Sequence, residues 1–179
     1  MRTITAILAA VFWLGATGQG TAQNLPPTAF YGHYAGGGIA ESADSLYFGV
    51  TVRDMDVVVE PSAEGFFVAW TTVIRQGGDP SDPDVRRKST EYEFVPSGMP
   101  DVYRGKTTSD PLQGGVYAWA RIERNTMNVY LLSIDETGVY NMQSYARTLA
   151  GGGMELVFKR IRDGEATRVV KAKLVKVSD

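Results

Sequence analysis

Two rows of side chains in the C-terminal half have the types and spacing to grip a small molecule. Tyr117, Trp119 and Arg121 alternate along one face of an extended run, and Gln143, Tyr145 and Arg147 share a face of the run two further on. Turned together into a barrel lumen, these rows make an aromatic wall with two cations. Such a wall can hold an amphiphile whose anionic head pairs with arginine. Trp70, on a row with Phe66, Val68, Thr72 and Ile74, either lines the same cavity or fills a core. The alternation has a second solution, in which Val116, Ala118, Ala120 and Ile122 are the interior and the aromatic–arginine face lies outside. A period of two does not choose between the faces.

The other chemical constellations are weaker. His33 is the only histidine; it offers an axial ligand to haem or a general base, and its ordinary role is that of a strand residue. One His without any Cys argues against a zinc site. No Gly-x-Ser-x-Gly elbow presents a nucleophilic serine. Asp79, Asp82 and Asp84 share one loop, but their spacing is not that of an EF-hand and a solvated acidic loop is the expectation. Gly105-Lys106-Thr107 resembles the end of a phosphate-binding loop, yet Pro100 stands where its first glycine belongs. Glu91 and Glu93 read as a charged solvent face, and Arg86-Arg87-Lys88 is too short a basic cluster for a nucleic-acid surface. The residues call for no metal and no cofactor, and an enzyme is the last of the readings.

The elements that must position these residues are strands. Residues 115–149 carry three extended runs joined by a polar turn at Arg124-Asn125-Thr126 and a second at Glu136-Thr137-Gly138, a β-meander. Upstream, residues 31–39 form a glycine-rich strand able to bend strongly. Residues 46–52 form another, Arg53-Asp54-Met55-Asp56 leads into Val57-Val58-Val59, and Pro61 to Gly65 turns the chain into a strand over 66–74. GGDPSDPD at 77–84 is a loop. Strands follow over 86–95 and 102–105, then a loop at 108–115. After the meander, residues 154–161 alternate, Asp163-Gly164 is a hairpin turn, and 168–177 is the last strand. That makes about nine or ten strands in series, which predicts a single antiparallel up-and-down β-barrel, because a meander closes simply and removes its own edges.

The first 22 residues read as a cleavable signal peptide. Arg2 is the basic start, Ile4 to Leu14 the apolar stretch, and Gly20-Thr21-Ala22 the small-residue cleavage site. That apolar stretch is shorter than the roughly 20 residues a membrane-spanning helix needs, and nothing after it is longer. Residues 23–30 then read as an entry linker with Pro26-Pro27, and 31–179 as one domain with a sizeable core. With no Cys and a leader, the expected place is the periplasm or the medium, with the core rather than disulfides supplying stability. A formal net charge of −2 gives no reason to expect nucleic acid as a partner; a protein partner is left open.

The aromatic-Gly-x-Tyr start at Tyr31, Gly32 and Tyr34, the serial hairpins and the terminal strand pair resemble the lipocalin-like (calycin) group of barrels over most of residues 30–177. The resemblance implies a cup that binds a small hydrophobic or amphiphilic molecule. Cleavage after Ala22 leaves Gln23 as the first residue, and the intact mass of the exported protein checks this.

Overall fold

The computed structural model describes residues 23–42, 51–75 and 85–179. The signal-like segment, residues 46–50 of one expected strand, and the loop holding Asp79, Asp82 and Asp84 lie outside them. The described residues form ten antiparallel strands: β1 (Gly32–Ser42), β2 (Thr51–Pro61), β3 (Phe66–Arg75), β4 (Val85–Pro96), β5 (Val102–Gly105), β6 (Val116–Glu123), β7 (Thr126–Ile134), β8 (Tyr140–Ala150), β9 (Gly153–Arg162) and β10 (Glu165–Ser178). Each pairs with its neighbours in chain order, and β1 pairs with β10, so the sheet is a closed up-and-down barrel. This architecture is compatible with a lipocalin-like one.

The strands follow from alternation. In β2, Met55, Val57 and Val59 are buried, while Asp54 and Asp56 take the opposite face. The run Arg53 to Asp56, expected as a lead-in, is therefore strand: a charge at every second position suits a strand with one wet face. Asp163 and Gly164 turn between β9 and β10 with φ of 49° and 87°, the pair of positive values that a two-residue hairpin turn demands.

One end of the barrel is stoppered by the entry segment. A 3-10 turn, Pro27–Phe30, drops the Phe30 ring into the lumen, where it is fully buried, and the Tyr34 hydroxyl donates to the Phe30 carbonyl at 3.0 Å. Asn24 anchors the segment. Its Nδ2 donates to Asp101 at 2.7 Å and its Oδ1 accepts from the Arg124 amide at 2.6 Å. Around this stopper pack Val59, Phe66, Phe94, Ile122, Met127 and Met154, all buried. Phe66 meets Phe94 at 5.6 Å and Tyr103 edge-on at 5.0 Å. The hydrophobic core thus fills this half of the barrel.

Closure depends on β1 having almost no inward side chains. Tyr34 sets the parity, so Gly36, Gly38 and Ala40 follow it on the inner face. A Cβ on Gly36 would lie 2.2 Å from the Lys173 carbonyl oxygen and 2.9 Å from the Leu174 Cα, both backbone atoms of β10. Gly36→Ala is expected to cost about 1–3 kcal/mol as β10 is pushed away, measured as a lower urea midpoint with unchanged slope.

Candidate functional site

Above the core lies a cavity of about 320 Å³. Its floor is built across the barrel. Trp70 on β3 and Tyr145 on β8 come from opposite sides of the ring of strands, yet their ring centroids stand 4.7 Å apart. Tyr145 leans on Phe158 at 4.8 Å, and Trp70 stacks on Tyr92 at 6.0 Å. The Tyr145 hydroxyl donates to Gln143 Oε1 at 2.9 Å. Met55, Val57, Leu156 and Val170 complete the apolar part of the wall.

Arg147 lies against this floor. Its guanidinium carbon sits 4.9 Å from the Trp70 ring centroid and 5.3 Å from that of Tyr145. The side chain has no exposed surface, and none of its three guanidinium nitrogens has a hydrogen-bond partner. The two ring faces meet its charge through their π quadrupoles. Burial pushes its pKa down from the ordinary guanidinium range to about 10, against a smaller opposing pull from Tyr145. Burial likewise raises the Tyr145 phenol, and the Arg147 charge draws it part of the way back. Arg147 is therefore still a cation at neutral pH. Its burial costs roughly 3 kcal/mol by the usual conversion of a pKa shift. The sign follows from the depressed value: below about 10 the group is charged in both states and the cost is present in full, and it fades only as pH climbs above that.

The cavity rim is cationic. Arg53 on β2, Arg86 and Lys88 on β4, Arg160 on β9 and Arg168 on β10 all border it. Arg160 and Arg168 face each other across the β9–β10 pair. The Nε atoms of Arg53, Arg160 and Arg168 are each buried without a hydrogen-bond partner. The Arg53 pKa is lowered first by burial and then by the charges of Arg168 and Arg160. Asp56 is the one acid bordering the cavity among the described residues, and its carboxylate is taken by His33 Nε2 at 2.7 Å. Arg53 and Arg168 approach over β1, whose inner face here is Gly38 and Ala40.

Of the residues expected at a site, the structure brings Trp70, Gln143 and Tyr145 together at the cavity floor, with Arg147 fully buried against the Trp70 and Tyr145 rings and off the cavity lining. It does not bring Tyr117, Trp119 and Arg121 there. Ala118, Ala120 and Ile122 are the fully buried inner row of β6, and the alternate row faces out. Small residues win this face because aromatic rings from β3, β4 and β5 already occupy that half of the lumen. Outside, Trp119 stacks on Tyr130 at 4.9 Å, Tyr117 lies 5.9 Å from Trp119, and Arg121 pairs with Glu123 at 3.0 Å. His33 also faces out on β1, bonded to Asp56, so its imidazole does not reach the lumen as a haem ligand would have to. Arg53, Arg160 and Arg168 were not anticipated, although each continues an apolar row: Arg53 before Met55 and Val57, Arg160 after Leu156 and Phe158, Arg168 before Val170 and Ala172. Among the described residues no three His, Cys, Asp or Glu side chains converge as a metal site, and no helix is long and apolar enough to cross a membrane. Comparison with known protein families, curated proteins and solved structures gives no match.

Replacing Arg147 by Met exchanges an unpartnered buried cation for an apolar chain of similar reach. Arg147→Met is expected to leave stability unchanged or raise it by up to about 4 kcal/mol. Trp70→Ala opens a void and uncovers the charge, and is expected to lower stability by about 3–5 kcal/mol. Denaturant unfolding of the two variants checks both signs.

Proposed function

We propose that this protein is a secreted or periplasmic binding barrel, lipocalin-like in its manner of working, that holds one small amphiphilic molecule in its lumen. The observation that carries this reading is the cavity itself: an aromatic and aliphatic floor set below a ring of arginines, bordered among the described residues by one acid, Asp56, which is bonded to His33. An apolar body rests on Trp70, Tyr145, Phe158 and Leu156, where each buried methylene contributes about 0.8 kcal/mol. A polar head stays among the cations at the rim. The leader-like start at Arg2 and Ile4 to Leu14 supports the location.

A second reading has its own observation. The outer Tyr117–Trp119–Tyr130 stack lies beside exposed Met99, along a groove of about 410 Å³ between β5 and β6. Such a patch suits a protein-interaction module. A partner recovered from an envelope extract by the natural chain and lost with Trp119→Ala would favour it.

The binding reading is tested through Trp70. Trp119→Phe leaves Trp70 as the only tryptophan outside the leader. Titration with decanoate is expected to change its emission saturably with one molecule per chain. Thr72→Phe, which fills the cavity beside Trp70, is expected to weaken binding at least tenfold. Emission that no amphiphile changes would overturn the reading.

A further inference from the structure

The rim of the cavity carries more positive charge than a single carboxylate would balance. Arg53, Arg160 and Arg168 converge from β2, β9 and β10, and Arg86 and Lys88 stand on β4 across the opening. Among the described residues the one acid at the border, Asp56, is already bonded to His33. Each of the three converging guanidinium groups keeps a buried Nε–H with nothing to donate to. Like charges gathered in this way repel one another, and Arg168 and Arg160 both act against the charge of Arg53. One monoanion would leave at least two of the three uncompensated.

We propose that the rim is a site for a phosphate monoester dianion, so that the ligand is a phosphorylated amphiphile with its phosphate among Arg53, Arg160 and Arg168. This rests on the binding reading above and names the ligand's head. The chemistry fits in number and shape. A phosphate monoester carries close to two charges above its second pKa of about 6 and offers three acceptor oxygens. Guanidinium groups meet those oxygens in bidentate pairs, each supplying an Nε–H and an Nη–H in one plane. Three donors held on three strands match three oxygens, whereas a planar carboxylate has two. The bareness of β1 at Gly38 and Ala40 serves the same site, since Arg53 and Arg168 approach each other over these two residues.

The pH dependence separates a dianion from a monoanion. Among the described residues the groups facing the head are Arg53, Arg86, Lys88, Arg160 and Arg168, with Tyr145 below, while Asp56 and its partner His33 lie on the outer face at the border. An alkyl sulfate keeps its single charge from pH 5 to 7.5, so a change over that range in the affinity of a phosphate monoester relative to a sulfate reports the ligand's own proton.

Isothermal titration of the purified protein with decyl phosphate, decyl sulfate, decanoate, decanol and inorganic phosphate, at pH 5 and pH 7.5, is the test. At pH 7.5 decyl phosphate is expected to bind at least tenfold more tightly than decyl sulfate, which has the same tetrahedral head with a single charge. By pH 5 that advantage should shrink by about tenfold, as the phosphate takes up a proton near pH 6. Arg53→Gln and Arg168→Gln should each weaken decyl phosphate about tenfold, leave decanol unchanged, and keep or raise the melting temperature of the free protein; a merely structural arginine would lower it. Decyl sulfate or decanoate binding as tightly as decyl phosphate at pH 7.5 would overturn the dianion and leave the binding barrel standing. Inorganic phosphate binding as well as decyl phosphate would uphold the anion site and identify free phosphate as its source. Inorganic phosphate bound while every decyl compound fails would uphold the site and sink the amphiphile reading. No binding of any probe would remove both.

Discussion

The structure depends on a contact made across empty space. A ten-stranded ring encloses more volume than a layer of valines and alanines can fill, since barrel diameter grows with strand number. Trp70 and Tyr145, reaching from opposite walls, span that gap and meet at 4.7 Å. Below the pair the interior is solid with Phe30, Phe66, Phe94 and Met127; above it the interior is a cup. The same pair of rings shelters Arg147. A charge without hydrogen bonds is tolerable there because it lies against two π faces. The floor is therefore both a packing element and an electrostatic one, and neither role is separable from the position of Trp70.

Much of the architecture was legible because strands with one wet face advertise themselves. The meander at 115–149, the short strand at 102–105 and the Asp163-Gly164 turn all stand where alternation and turn chemistry put them. What alternation leaves undecided is the direction of a row whose two faces are both apolar. In β6 the larger, more aromatic row lies outside, because the space inward of it is taken by rings from strands distant in sequence. No local pattern carries that information. Trp70 and Tyr145 could be nominated separately as cavity residues, but their contact is a property of the closed ring.

The rim arginines show a different limit. Each sits one step beyond a row of apolar side chains, on the same parity, and that signal is present in the residues around 53, 160 and 168. What was not legible is their convergence. Arg53 meets Arg168 only because β1 lies between β2 and β10 and offers glycine and alanine to the inside. The first and last strands of the chain must be placed side by side before the three charges become one site.

That seam has a consequence for how the molecule comes into being. The β1–β10 ladder joins His33 to Ser178, nearly the full described length of the chain. While the last strand is unmade, β1 and β9 are open edges, and open edges recruit other strands. Contacts of such sequence separation also come late in folding. Loss of the C-terminal strand would therefore do more than shorten the barrel: it would leave a nine-stranded curved sheet with two reactive borders and no enclosed interior.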